Sequence, residues 1–206
     1  MKPRPFDYLR ADAIDEALAC LAEHGSNARI LAGGQSQVAM LNFRLVEAEI
    51  LIDINRIAEL DYIRIEDGAL EVGAATRQAD LKDWPGLAET QPLLAAALPH
   101  LGHYQTRNRG TVCGSIAHSD PSSELPLCLA TVDGEVVLRS ARGRRTLKAD
   151  VFQTGLLGTA READEMITAV RFPVAVKGAG YAFDEMNRRK GDFAIVSLAA
   201  MASANQ

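Results

Sequence analysis

The stretch from Ala28 to Ile54 constrains the fold of this chain more than any other. A short apolar run, Ala28-Arg29-Ile30-Leu31-Ala32, stops at Gly33-Gly34. Apolar residues then return at helical spacing from Gln37 to Leu45. A second run, Glu49-Ile50-Leu51-Ile52-Asp53-Ile54, is rich in β-branched residues and ends at the polar turn Asn55-Arg56. A strand, a glycine turn, a helix and a second strand at this spacing match a βαβ crossover, which is right-handed in nearly all proteins. Residues 1–55 are therefore expected to form a small α/β unit. Its opening helix is predicted over Asp12–His24, with Asp12 as N-cap and Gly25 just past its end.

Beyond residue 56 the periodicity changes. Tyr62-Ile63-Arg64-Ile65 and Leu70-Glu71-Val72-Gly73, joined around Asp67-Gly68, predict a β-hairpin. Short helices are predicted over Thr76–Trp84, over Leu93–Leu98 and from Leu125 to Leu129, and strands over Glu135–Ser140 and Thr168–Phe172. The last segment reads as two strands, Tyr181–Asn187 and Phe193–Met201, around the charged turn Arg188-Arg189-Lys190-Gly191-Asp192. The expected class is α+β, with a second unit over 56–176 and the start of a third over 177–206.

Charge and composition exclude several function classes. The net charge is -5 and no basic run dominates, which argues against a nucleic-acid surface that tracks phosphates. The first residues, Met1-Lys2-Pro3-Arg4-Pro5, lack the apolar core of a signal peptide. No run approaches the roughly 18 apolar residues of a membrane span, so a cytoplasmic location is expected. Cys20, Cys113 and Cys128 are far apart and form no Cys-x-x-Cys pair, and His24, His100, His103 and His118 have no metal-ligand spacing. Buried thiols and no metal are expected.

Two segments carry candidate chemistry: Ala32-Gly33-Gly34-Gln35-Ser36 and Thr111-Val112-Cys113-Gly114-Ser115. A glycine turn between a strand and a helix presents backbone N–H groups to an anion without a Cβ in the way. Ser36, Thr111 and Ser115 add hydroxyls. Each segment alone reads as readily as a tight turn packed with small residues, but the pair, one in each half, points to a diphosphate lying across a cleft. Neither is a Walker motif or a Gly-x-Gly-x-x-Gly fingerprint, and there is no Gly-x-Ser-x-Gly elbow.

These two segments, with Arg107-Asn108-Arg109-Gly110 before the second, Ile116-Ala117-His118-Ser119-Asp120-Pro121 after it, Glu124-Leu125-Pro126 and Arg188-Arg189-Lys190-Gly191-Asp192-Phe193-Ala194, resemble the FAD-binding medium subunit of molybdenum hydroxylases. The carbon-monoxide-dehydrogenase-like branch of the xanthine dehydrogenase family is the nearest in pattern. The resemblance runs from about Pro5 onward. It implies the two-domain FAD-binding fold of the PCMH type, with Ala32, Gly33, Gly34, Gln35 and Ser36 and then Thr111, Val112, Cys113, Gly114 and Ser115 around the FAD pyrophosphate. It further implies a carboxylate at the adenosine ribose, Glu124 first and Asp120 second, and Met166, Ile167 and Phe193 against or near the isoalloxazine ring. For Asp120 an Asx turn before Pro121 is the competing reading, and for Phe193 a core aromatic.

By the same resemblance the chain is an electron-transfer subunit. It would take electrons from two [2Fe-2S] clusters of a small subunit, reduced by a molybdopterin-binding large subunit, and pass them to an external acceptor. A dimer of heterotrimers is the assembly so implied. A non-catalytic flavin-binding or assembly protein, and a free-standing FAD oxidoreductase, are the competing readings. Two positions depart from the family pattern Thr-Ile-Gly-Gly-Asn: Cys113, which needs a negative φ or a side chain turned from the phosphate, and Ser115, which reaches less far than Asn. Family members continue into a third domain with a helix-covered sheet. The expectation here is a shortened form in which the run Phe193–Met201 is poorly covered and the flavin site lacks part of its wall.

Overall fold

A computed structural model describes residues 1–203 of the 206. The chain opens with β1 (Asp7–Arg10), α1 (Ile14–His24), β2 (Ala28–Leu31), α2 (Gln37–Asn42) and β3 (Ile50–Asp53). The three strands pair in parallel in the order β1-β3-β2, with Ile30 opposite Ile52 and Leu9 opposite Ile52 on the other side. The expected crossover is present. α1 turns Ile14, Ala17, Leu18 and Leu21 into the core. Its N-cap is Ala13 rather than Asp12, with no side-chain cap bond, and the Asp12 backbone N–H donates to the Glu16 carboxylate at 2.9 Å.

The hairpin of β4 (Ile63–Glu66) and β5 (Ala69–Gly73) turns at Asp67 and Gly68, both at positive φ (49° and 72°), as a type I′ turn requires. Five short helices follow: α3 (Gln78–Lys82), α4 (Leu87–Thr90), α5 (Pro92–Ala97), α6 (Tyr104–Arg107) and α7 (Val112–His118). The Gln91 side chain accepts from Leu93 N–H at the start of α5, where Pro92 has no N–H to offer. Next come α8 (Glu124–Thr131), β6 (Glu135–Ser140), β7 (Gly143–Lys148), α9 (Ala149–Phe152), the two-strand pair β8 (Gln153–Gly155) and β9 (Gly158–Thr159), and β10 (Met166–Pro173). β10 is the middle of an antiparallel sheet in the order β4-β5-β10-β6-β7, with a bulge between Ile167 and Ala169.

α7 lies on β10 and β5, and α8 packs beside it. One continuous core joins both sheets, from Leu21 and Ile52 through Leu70, Leu94 and Val112 to Leu129, Val136 and Phe172. The last elements are β11 (Ala179–Met186) and β12 (Val196–Ser203), an antiparallel pair. Tyr181, Phe183 and Ala199 face the core, against α5 and α8. Phe193, Ile195, Val196 and Leu198 are exposed, so the apolar run at the end is covered on one side only. Among the described residues no helix is long and apolar enough to cross a membrane, and no cluster of three or more His, Cys, Asp or Glu side chains could hold a metal. The three cysteines are buried free thiols.

Candidate flavin site

The first glycine turn brings backbone against backbone. A Cβ on Gly33 would lie 2.5 Å from the carbonyl oxygen of Arg109, 2.7 Å from Cα of Gly110 and 2.9 Å from the amide nitrogen of Thr111. Only glycine permits that approach, and the approach puts the two motifs in contact. Gly34 follows at φ 70°. A chain of side chains clips the turn in place. Asn55 donates to the carbonyl of Ala32 (2.9 Å) and to Asp53 (2.5 Å), and Arg77 donates to Asn55 Oδ1 (2.6 Å) and to the carbonyl of Arg109 (2.5 Å). Burial alone would raise the Asp53 carboxyl, but bonds from Tyr8 and Asn55 outweigh it and hold the group below its usual range.

The second motif is the start of a helix. Thr111 is the N-cap of α7, and its Oγ1 accepts the N–H of Gly114 at 3.0 Å. A Cβ at 114 would sit 2.6 Å from that oxygen. The segment is anchored from below, with Gln78 N–H donating to Gly110 (2.9 Å) and Val112 N–H to Thr76 (3.2 Å). Val112 is the one predicted site residue that does not line the site; it is fully buried in the core. Cys113 is helical and aims its Sγ at the carbonyl of Val72 (3.5 Å), so its side chain fills the core rather than the approach to the anion. Burial pushes its thiol well above the usual range. Ser115 Oγ lies 2.8 Å from Ser123 Oγ, a contact that ties α7 to the loop before α8.

The other predicted residues, Ala32 to Ser36, Thr111, Cys113, Gly114, Ser115, Asp120, Glu124, Met166, Ile167 and Phe193, line one cleft of about 750 Å³. That size is ordinary for a bound organic cofactor. Asp120 accepts the N–H of Ser122 at 2.8 Å, so the Asx turn does form and occupies one carboxylate oxygen. Glu124 opens α8 with only 6% of its surface exposed. Burial, with Glu185 and Asp120 nearby, pushes its carboxyl up to about 7. The side chain of Glu185 is enclosed, 3.5 Å from His100 Nδ1 and bonded by Asn187 (2.8 Å). Phe193 is exposed on the rim, two residues after Gly191, which abuts His103 and Gly102.

Asn55, Arg77, Arg29, Arg161 and Leu157 escaped the motif reading. A signal existed for two of them: Arg29 interrupts an otherwise apolar run, and Leu157 lies between Gly155 and Gly158. The donor set fits a flavin dinucleotide. Backbone N–H groups and hydroxyls converge where glycine removes steric bulk, carboxylates suited to sugar hydroxyls lie beside them, and apolar walls stand to either side.

Comparison with known proteins agrees with this chemistry. Residues 4–175 match the model of the FAD binding domain in molybdopterin dehydrogenase. The chain is 39% identical over its whole length to the 6-hydroxypseudooxynicotine dehydrogenase complex subunit alpha of Paenarthrobacter nicotinovorans, of which it covers 70%. It is 38% identical over 99% of its length to the caffeine dehydrogenase subunit beta of a Pseudomonas strain, again covering 70%. Its fold superposes on a chain of the carbon monoxide dehydrogenase of Hydrogenophaga pseudoflava with a TM-score of 0.95 and 38% identity, covering 100% of this chain and 72% of that one. With both glycine motifs brought together in one cleft and the match extending across most of its length, the chain belongs to the family of FAD-binding subunits of molybdopterin dehydrogenases.

Proposed function

We propose that this chain is the electron-transferring flavin subunit of a molybdenum hydroxylase. It receives electrons from the [2Fe-2S] clusters of a small partner subunit, after substrate is oxidised at a molybdopterin centre in a large one, and delivers them to an external acceptor. The observation that carries the reading is the contact of Gly33 with residues 109–111, which makes two distant motifs one anion cradle. When bound, FAD supplies the capacity to take electrons singly and release them in pairs.

The chain's own residues bind and orient it. Backbone donors of Gly33 to Ser36, with the hydroxyls of Ser36, Thr111 and Ser115, hold the pyrophosphate, and Gly114 gives it room to approach the start of α7. Glu124 and Asp120 face the sugar hydroxyls, and Met166, Ile167 and Phe193 supply apolar contact. Residues 1–55 and 56–176 act as the two halves of the grip, and 177–206 carry Phe193 to its rim. The relatives are named for different substrates, among them caffeine and carbon monoxide, which supports a reading in which substrate choice lies outside this chain.

The test is the visible spectrum of the purified chain during titration with FAD, together with co-expression of candidate large and small subunits. Flavin bands and a three-component complex in which substrate bleaches the flavin are expected. No binding at micromolar FAD overturns the cofactor assignment, and a bound flavin that substrate never reduces in the complex overturns the electron-transfer role.

A further inference from the structure

One buried polar group in the cleft wall has no part in the reading above. Gln78 opens α3, lines the cleft and is only 6% exposed. Its amide nitrogen donates to the carbonyl of Thr111 at 3.4 Å, which fixes the way the amide points, because the reverse orientation would set two oxygens against each other. The other end of the amide, Oε1, is fully buried, and among the described residues nothing donates to it. Gly110 makes the room it occupies: a Cβ there would lie 2.7 Å from Oε1 and 3.0 Å from Cδ. A desolvated acceptor without a donor costs stability, and this one stands where a ligand N–H or O–H can complete it.

The chemistry of a flavin dinucleotide narrows the choice of donor. Its ionised diphosphate offers acceptors only, so an amide oxygen beside the two glycine turns meets the group that follows the diphosphate on one side or the other. The close approaches around Gln78 indicate which side. The same Cβ on Gly110 would meet the carbonyl of Thr106 at 3.0 Å, one on Gly102 would meet the Thr106 side chain at 3.4 Å, and one on Gly191 would meet the carbonyl of Gly102 at 3.0 Å. These contacts lead in steps from Gln78 to the rim that carries Phe193. Arg107 braces that loop by donating to the carbonyls of Leu101 (2.8 Å) and Gly102 (2.9 Å). Asp120 and Glu124 stand elsewhere, beyond the far end of α7, a helix of seven residues and so about 10 Å long. With those carboxylates at the adenosine ribose, the group next to the diphosphate on the Gln78 side is the ribityl chain, whose hydroxyls are donors.

We infer that Gln78 Oε1 accepts a hydrogen bond from a ribityl hydroxyl and thereby selects a flavin over other adenine dinucleotides. The inference rests on the FAD reading above and adds to it a residue that reads the polyol linking ring to diphosphate.

The experiment titrates FAD, ADP and FAD analogues lacking the 2′, 3′ or 4′ ribityl hydroxyl into the wild-type chain and into Gln78→Met, by calorimetry. Methionine keeps the length of the side chain and removes both polar ends, and thermal unfolding without ligand checks the fold. In the wild type one analogue is expected to bind about tenfold more weakly than FAD, the scale of one buried hydrogen bond. Gln78→Met is expected to lose about as much for FAD, to bind that analogue no more weakly than FAD, and to keep the wild-type affinity for ADP, which has the diphosphate but no ribityl chain. Equal losses for FAD and ADP overturn the assignment in favour of a clamp on residues 110 and 111. Three analogues that all bind the wild type as tightly as FAD overturn it whether or not the variant folds. A wild-type chain that binds no FAD overturns the cofactor reading itself, a result separate from FAD binding that ignores the ribityl hydroxyls.

Discussion

Glu124 makes the stability of the flavin-free chain depend on pH in an unusual direction. In the folded chain its carboxyl titrates at about 7, against 4.5 for an unperturbed glutamate, because burial, Glu185 and Asp120 all disfavour its charge. Between those two values the folded state holds a proton that the unfolded state has released. Folding is therefore unpenalised below about 4.5, loses stability as pH rises, and carries the full penalty above about 7. The gap corresponds to about 3 kcal/mol at most. Glu124→Gln removes the charge and keeps the shape. Without FAD, the variant is expected to match the wild type at pH 5 and to unfold at a higher temperature at pH 8, by on the order of 5 to 10 °C for a chain of this size. Parallel thermal melts of the two proteins across that range measure it. Superimposable pH profiles would show that the Glu124 carboxyl is solvated or paired, and the electrostatic reasoning would fail.

Other changes test the cradle. Gly33→Ala forces a Cβ against the backbone of Arg109 to Thr111, where no flexible side chain can yield; a loss of about 1–3 kcal/mol in denaturant unfolding, with loss of FAD binding, is expected. Thr111→Val keeps the volume and removes the acceptor for Gly114 N–H, for a loss of about 1 kcal/mol and weaker FAD binding by titration. Arg77→Ala cuts the bonds to Asn55 and Arg109, and is expected to weaken FAD binding although Arg77 does not line the cleft; unchanged affinity would show that the two turns hold together without the clip. Cys113 and Cys128, buried with thiols raised by desolvation, are expected to react with thiol reagents only as fast as the chain unfolds, as mass spectrometry of labelled samples will show.

What could be read from the sequence was what local backbone geometry dictates. Gly33-Gly34 had to end a strand and Asp67-Gly68 had to turn a hairpin, because few other residues tolerate those conformations, whereas the capping of α7 by Thr111 emerged only with the structure. Val112 shows the limit of that logic. A motif is read as five consecutive residues, but a helix turns each side chain about 100° from the last, so a neighbour of the cap falls into the core. Asp12 shows it again, since the N-cap falls one residue later, at Ala13, whose side chain has no oxygen to cap the helix. Asn55 and Arg77 were invisible for another reason: they act across separations of 22 and 32 residues, and no periodicity records a bond from Arg77 to the carbonyl of Arg109. The candidate anion-binding residues could be found because they stand in short local runs of glycine and hydroxyl residues, whereas those that aim the two turns at one another became identifiable only once the turn after β2 lay against residues 109–111. The cleft is therefore a property of the join between the two turns, and Asn55 and Arg77 deserve the same scrutiny in a variant as the glycines they align.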